Sequence, residues 1–441
     1  MGTGKKAVSA RGVALQVLVN CRRRGAWSDS ALSSAIRSAG LSHRDAALAS
    51  RICYGVQQNQ MLLDFWLGKL CSVPVDKLEL PVCCAMELAM YQITFLERIP
   101  DAAAVNESVE LARFNSRNSN SPRLVNGVLR SFVRQRENLP HPDSLSVAYS
   151  HPQWLVELFA QELEGEGVEA LLAADNSQPP TVIHTNPLKT SPEQLRRRLE
   201  EEGVTVGENP YFAESFTLSG SGDLEHLGSF REGWFLVQDT AARLAVEAAG
   251  VQSGMEALDV CAAPGGKSFQ MAMQMGDQGS IISCDLQEKK LKRLTEGASR
   301  LGIGCIQAQA ADGRVFQERW ENRFDVVLTD VPCSGLGIIR KKPDIRYKEP
   351  QPLSALPAIQ RDILTNASRY VKPGGVLAYS TCTVLRRENQ QVVEDFLESH
   401  KDFKLEPFVL PVIGECDGMI TLWPHIHQTD GFFMAKLRKQ L

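Results

Sequence analysis

The sequence predicts a multidomain chain: an all-α bundle at the front, a small α+β connector, and an α/β domain wrapped around a parallel sheet at the back. Three observations carry this prediction. At 441 residues, the chain exceeds what one hydrophobic core organises. From Val8 to Arg136 apolar residues recur at three- and four-residue steps, whereas beyond Trp234 short strand-like runs alternate with helical ones. Charge divides along the same line: residues 1–140 hold 18 Lys and Arg against 11 Asp and Glu, and the rest hold 30 against 41. The formal net charge of -4 is therefore the sum of a basic front and an acidic remainder. The expected domains are 1–140, 141–233 and 234–441.

Hydrophobic residues make up 43% of the chain and charged residues 23%, with no apolar run of about 18 residues, which excludes a spanning helix and wholesale disorder. The opening Met1-Gly-Thr-Gly-Lys-Lys lacks an apolar export segment, and Lys6 stands where a myristoylation signal needs Ser or Thr. A cytoplasmic protein without membrane attachment is expected. Eleven cysteines, an odd number with no Cys-x-x-Cys spacing, speak against a disulfide framework or a zinc ribbon and for a reducing compartment.

In the bundle, Leu88, Tyr91, Ile93 and Leu96 show the helical period, and Ser42 with Asp45 three residues on marks a helix start. Arg98-Ile-Pro-Asp separates two helices. Arg22, Arg23 and Arg24, joined by Arg11, Arg44, Arg51, Arg113, Arg117, Arg123 and Arg130, supply phosphate contacts if they share a face. For any single arginine, a solvated surface is the simpler reading, so the cluster carries the weight. Leu139-Pro-His-Pro-Asp closes the bundle. The connector then reads as a helix over Trp154–Ala174, a strand Thr181–Thr185, a helix Pro192–Glu202 and a strand at Phe216-Thr-Leu.

Glu256-Ala-Leu-Asp-Val-Cys-Ala is a short strand that runs into Ala263-Pro-Gly-Gly-Lys-Ser and a helix. The loop at the carboxyl end of such a strand is a ligand site, and glycine lets the backbone approach the ligand. A phosphate-binding P-loop is excluded because Cys261 stands where that motif needs glycine. Asp285 ends the next strand and can accept ribose hydroxyls, while Asp312 in the following turn can accept an adenine amino group. Together these describe an S-adenosylmethionine pocket formed by Asp259, Cys261, Ala262, Ala263, Pro264, Gly265, Gly266, Lys267, Asp285, Asp312 and Asp330.

Two further strand ends carry thiols. Phe324–Asp330 leads into Val331-Pro-Cys333-Ser-Gly, and Gly375–Ser380 into Thr381-Cys382-Thr. A pyrimidine C5 becomes nucleophilic only after a nucleophile adds at C6, which a thiolate does well. A carboxyl group such as Asp330 can stabilise the charge that builds toward N3, and a second base must then remove the C5 proton. Spacing alone leaves open which thiol attacks.

Asp259-Val-Cys-Ala-Ala-Pro-Gly-Gly-Lys267, Asp330-Val-Pro-Cys-Ser-Gly335 and Tyr379-Ser-Thr-Cys-Thr383 resemble the motifs of RNA 5-methylcytosine methyltransferases, with Gln238-Asp-Thr-Ala-Ala242 and Asp430-Gly-Phe-Phe433 extending the likeness. The resemblance implies a Rossmann-like fold, S-adenosylmethionine as cofactor, Cys382 as nucleophile and Cys333 as the group that releases product. DNA cytosine methyltransferases instead place the nucleophile in their Pro-Cys loop. The front of the chain, through Arg44–Gly55, Ala102–Ala112 and Leu124–Arg130, is similar to the NusB-like RNA-binding fold. The combination resembles the branch that methylates a cytosine of bacterial 16S ribosomal RNA, cytosine 967, and implies an RNA partner and a monomer. Transfer RNA as the substrate and a non-catalytic RNA-binding scaffold are the competing readings.

Ile339-Arg340-Lys341-Lys342-Pro-Asp-Ile-Arg346-Tyr347 interleaves four cations with an aromatic ring and is expected to hold RNA by phosphate contact and stacking. Relatives commonly carry His and Trp where Lys342 and Tyr347 stand. No metal is expected, since His425-Ile-His427 has no third ligand close by.

Overall fold

The computed structural model describes residues 9–348 and 354–441. It divides into two compact units: one reaches to Ser177 and includes Ile339–Lys348, and the other takes the remainder from Gln178 onward.

The first unit is all helical. Its helices are α1 (Ala10–Arg24), α2 (Ser28–Ala39), α3 (His43–Gln58), α4 (Gln60–Leu70), α5 (Leu80–Phe95), α6 (Asp101–Asn115), α7 (Ser121–Gln135), α8 (Leu145–Ala148), α9 (Gln153–Glu162) and α10 (Val168–Asp175). Ser9 caps α1 by accepting the Gly12 N–H, and Ser42 caps α3 by accepting that of Asp45. Helix α5 is the core of the bundle. Its residues Val82–Ile93 are all buried, and α1, α3, α4, α6 and α7 pack around it. Gly55 on α3 makes that packing close, since a Cβ there would lie 1.9 Å from the Tyr91 ring. The helix expected over Trp154–Ala174 is two helices, α9 and α10. Gly165 (φ 86°) and Gly167 (φ 71°) between them adopt left-handed backbone that ends the first.

The second unit starts with a four-stranded antiparallel sheet, order β2-β3-β1-β4, made of β1 (Thr181–Thr185), β2 (Thr205–Glu208), β3 (Ser215–Ser219) and β4 (Phe235–Val237). Helix α11 (Pro192–Glu201) packs Leu195 and Leu199 against Ile183, Phe216 and Phe235, and the short α12 (Gly228–Arg231) follows β3.

The main sheet takes β5 (Glu256–Asp259), β6 (Ser280–Asp285), β7 (Ile306–Ala310), β8 (Phe324–Asp330) and β9 (Val371–Thr381) in the parallel order β9-β8-β5-β6-β7. Helices α13 (Thr240–Ala249), α14 (Gly266–Gln274), α15 (Glu288–Leu301), α16 (Leu356–Ser368) and α17 (Gln390–Ser399) alternate with these strands. Side chains alternate across the sheet. Val327 joins Ile363 and Val392 in one apolar layer, whereas Val326 and Leu328 join Met271 and Leu294 in the other. Burial on both faces is why the strands read as continuous apolar runs.

The sheet is not wholly parallel, as alternation had suggested. After β10 (Phe403–Leu405), the hairpin of β11 (Phe408–Leu410) and β12 (Gly414–Cys416), β13 (Met419–Leu422) and α18 (Pro424–His427), the last strand β14 (Phe432–Lys439) returns antiparallel beside β9. β10 and β13 pair antiparallel with β14, giving a mixed eight-stranded sheet. Among the described residues, no helix is long and apolar enough to cross a membrane.

Candidate active site

Four acidic residues end four neighbouring parallel strands or the turns beyond them: Asp330 on β8, Asp259 on β5, Asp285 on β6 and Asp312 just after β7. This edge is where an open α/β sheet binds ligands. Cys261, Ala262, Ala263, Pro264 and Gly265 lie in the loop from β5 into α14, and Gly266 and Lys267 open that helix. Gly265 has φ 113°, and a Cβ there would come within 2.5 Å of the Phe269 ring, so glycine lets the loop lie down on α14. Asp259 is fully buried. Its Oδ2 accepts the Ser268 hydroxyl at 2.7 Å, and Ser283 donates to Ser268 at 2.8 Å, which ties the first turn of α14 to β5 and β6. Burial pushes Asp259 up to about 7. Its Oδ1 has no partner among the described residues.

Asp285 accepts the Gln287 N–H through Oδ1. Asp312 is gripped by Arg314, whose Nε and Nη2 donate at 3.0 and 2.7 Å, and this fork holds its carboxyl below the usual range. Lys267 does something the sequence did not show. Its Nζ lies 2.7 Å from Asp330 Oδ2, while Ser380 donates to Asp330 Oδ1 at 2.9 Å. Burial opposes the Lys267 charge, but Asp330 outweighs it and raises the group above its ordinary value. The ammonium also lies 5.0 Å from the centre of the Phe432 ring.

The thiols follow from strand register. Asp330 on β8 pairs with Ser380 on β9, so the loops that leave these strands run side by side. Cys333 Sγ lies 3.2 Å from Cys382 Sγ. The hydrogen bond with Cys382, together with burial, raises Cys333 well above the ordinary thiol range. Two links bind the loops: Ser334 Oγ donates to Thr383 Oγ1 at 2.8 Å, and Gly337 N to the Cys382 carbonyl at 3.0 Å; from the turn before β14, Gly431 N donates to the Gly337 carbonyl at 2.8 Å. Gly337 and Gly431 touch backbone to backbone, and a Cβ on Gly337 would sit 1.9 Å from the Gly431 oxygen. Carboxylate, ammonium and paired thiols therefore share one strand edge with a glycine loop, a set suited to adding a thiolate to an electrophilic carbon and moving one proton.

Family models match along the whole chain: the NusB family over residues 8–134, a ferredoxin-like domain of RsmF/B-like methyltransferases over 151–225, and 16S rRNA methyltransferase RsmB/F over 249–438. The chain is 36% identical to the probable ribosomal RNA small subunit methyltransferase B of Bacillus subtilis, across 99% of this chain and all of that one. It is 32% identical to ribosomal RNA small subunit methyltransferase B of Erwinia tasmaniensis, again across 99% and 100%. The chain belongs to the ribosomal RNA small subunit methyltransferase B family. The crystal structure of PH0851 superposes with a TM-score of 0.80 at 26% identity, covering all of both chains.

This family's cofactor is S-adenosylmethionine, and the residues present fit it. The glycine loop offers close backbone approach, and Asp259 Oδ1 is a buried acceptor without a partner. Asp285 keeps Oδ2 clear of hydrogen bonds among the described residues.

The structure places the residues expected to contact RNA unevenly. Arg23 and Arg24 are exposed in the last turn of α1. Arg22 is not available: its Nη1 and Nη2 hold buried Glu87 on α5 at 2.8 and 2.5 Å. In Ile339–Lys348, Lys342 is exposed and Lys341 half-buried, but Arg340 is 5% exposed and Arg346 is 0% exposed. Arg346 Nη1 donates to the carbonyls of Gln58, Tyr149 and Ser150 and to Asn176 Oδ1, and Nη2 donates to the Asp175 carbonyl. These acceptors lie at the carboxyl ends of α3, α8 and α10, which the guanidinium caps and where unsatisfied carbonyls favour a cation. Tyr347 likewise spends its hydroxyl on the Gln57 and Ser150 carbonyls. Arg22, Arg340, Arg346 and Tyr347 are therefore corrected from RNA contacts to parts of the first unit's interior. Nothing in the residue pattern distinguishes a buried arginine from a solvated one. The site residues missed from sequence, Ser380, Thr383, Gln360 and Glu388, lie on β9, on the loop after it and on the elements around it; only their nearness to Cys382 could have flagged all but Gln360.

Proposed function

We propose that this protein transfers the methyl group of S-adenosylmethionine to C5 of a cytosine in 16S ribosomal RNA, cytosine 967 by resemblance, through a covalent bond between Cys382 and C6. The supporting observation is the 3.2 Å contact between two thiols on neighbouring strand ends, with Asp330 and Lys267 beside them. The bound cofactor would supply an electrophilic methyl group on a sulfonium, whose sulfur would keep the S–CH3 bond pair and leave as a neutral thioether.

The Cys382 thiolate gives an electron pair to C6, and the C5=C6 pair moves toward N3, where the Asp330–Lys267 pair supplies the hydrogen bond that stabilises the charge. The pair returns through C5 to form the bond to the methyl carbon. Cys333 then takes the C5 proton, the C5–H pair re-forms C5=C6, and the S–C6 bond breaks to regenerate the Cys382 thiolate. The 3.2 Å contact lets the charge on one sulfur bear on the proton of the other. While Cys382 is a thiolate, it holds the proton on Cys333. Once Cys382 is a neutral thioether, that hold is gone, and Cys333 can lose its proton to solvent and become the base. One proton leaves per methyl group transferred.

The target base must leave its stack, at a cost of about a few kcal/mol that single-stranded RNA reduces. Arg23, Arg24, Lys341 and Lys342 are the proposed phosphate contacts. Bisulfite sequencing of ribosomal and transfer RNA, from cells with and without the protein, tests the substrate. A single 16S cytosine protected only when the protein is present supports the reading. Loss of protection in tRNA alone, or in neither RNA, overturns it.

A further inference from the structure

Glu388 takes no part in the chemistry just described, yet its placement is unusual. It is fully buried, six residues beyond Cys382, in a short helical turn over Arg386–Glu388. Burying a carboxylate costs several kcal/mol unless it is well bonded, so a buried Glu needs a reason. Oε2 accepts the Ser334 N–H at 2.9 Å, the peptide directly after Cys333, and the Gln360 Nε2–H at 2.9 Å. The same Gln360 nitrogen donates to the Pro332 carbonyl at 3.0 Å, directly before Cys333. Glu388 and Gln360 thus grip the Cys333 loop by both flanking residues. The Tyr379 hydroxyl fixes the Glu388 backbone from β9 by donating to its carbonyl at 2.6 Å. Glu388 Oε1, which is also buried, has no partner among the described residues. Both hydrogen bonds of the carboxylate described above therefore serve the Cys333 loop, directly or through Gln360.

We infer that Glu388 is a positioning residue whose grip on Ser334 and, through Gln360, on Pro332 holds Cys333 Sγ against Cys382 Sγ, and so governs release of the methylated RNA rather than attack upon it. The inference rests on the two-thiol reading above. Cys382 sits on the other loop, which is anchored by the pairing of Thr381 on β9 with Phe433 on β14 and by Asn389 Nδ2, which donates to the Thr383 carbonyl at 3.0 Å, so loosening Cys333 leaves the attacking sulfur in place.

The test compares Glu388→Ala, Glu388→Gln and Cys333→Ala with wild type, mixing each with 16S RNA and S-adenosylmethionine and following the covalent RNA–protein adduct on denaturing gels. Glu388→Ala should form the adduct at the wild-type rate and release it about 100-fold more slowly, the cost of an ångström-scale misplacement of a reacting group. Glu388→Gln keeps an oxygen that can accept the Ser334 N–H, and should restore release to within about threefold of wild type, a rescue expected if geometry governs the step. A general structural defect would instead slow adduct formation, and the glutamine would not selectively rescue release. If Cys333→Ala accumulates adduct and Glu388→Ala does not, the inference is wrong while the two-thiol reading stands. If Cys333→Ala itself accumulates none, that reading fails first. Cofactor binding by titration calorimetry checks that each variant is folded. Should Glu388→Ala not bind, Gln360→Met, which removes the amide bridging Pro332 and Glu388, carries the test with the same expected and opposing results.

Discussion

Arg346→Met separates two views of the basic segment after the Cys333 loop. The guanidinium is inaccessible to solvent and serves five acceptors: the Gln58 carbonyl at 3.2 Å, those of Tyr149, Ser150 and Asp175 at 3.3 Å, and Asn176 Oδ1 at 2.7 Å. Methionine fills much of the volume and donates nothing, so carbonyls at three helix ends lose their cation. A buried carbonyl that loses a charged donor costs about 1–3 kcal/mol, and some of these sites can relax, so the total should be about 3–5 kcal/mol. For a unit of this size that lowers the unfolding temperature by about 10 °C. Scanning calorimetry measures the shift, and hydrogen exchange should localise it to the last turns of α3 and α10. Arg346→Lys, a point charge that cannot span the same acceptors, should fall between the two. A variant whose stability stays within about 1 kcal/mol of wild type, with weakened RNA binding instead, would refute the reasoning and return Arg346 to the RNA surface.

Other perturbations give equally direct readings. Arg23→Gln combined with Arg24→Gln should reduce the slope of log affinity for RNA against log salt by about 1.5, with turnover at saturating RNA unchanged, whereas Arg22→Gln should destabilise the bundle by stranding Glu87. Gly337→Ala forces a Cβ toward the Gly431 oxygen and should cut methyl transfer about 100-fold while cofactor affinity, read by calorimetry, changes little. Asp259 in the folded chain holds its proton up to about 7, against an ordinary value of about 4. The folded state thus binds more protons in that window, and stability should fall as pH rises through it, by up to about 4 kcal/mol. Asp259→Asn should flatten that fall, measured by urea unfolding at roughly pH 5 and pH 8.

The chemistry of the second unit was legible because its residues sit in loops at strand ends, where a short apolar run followed by Gly, Asp or Cys has a geometric meaning. Asp259, Asp285, Asp312 and Asp330 read as a series for that reason. The antiparallel return of β14 was not legible: Asp430-Gly-Phe-Phe433 looks like any other turn and strand, and direction is set by the hairpin with β13. Burial of charge was the other blind spot. Arg-Arg-Glu-Asn at 386–389 and the cations of Ile339–Lys348 have the composition of solvated surface, yet Glu388 and Arg346 are fully buried. Helix ends that lack side-chain caps create such demands, and only the packed structure shows which residue meets them. The break between α9 and α10 was readable in Gly165-Glu-Gly167, but apolar periodicity outweighed it.

The central claim is that two thiols 3.2 Å apart divide one reaction between them. Its most direct test incubates Cys382→Ala and Cys333→Ala with 16S RNA and labelled S-adenosylmethionine, and looks for RNA that stays on the protein through denaturation. The account predicts no adduct and no methyl transfer for Cys382→Ala, and for Cys333→Ala an adduct whose RNA carries the methyl group and is not released. An adduct in Cys382→Ala, or free methylated RNA from Cys333→Ala at the wild-type rate, would contradict it.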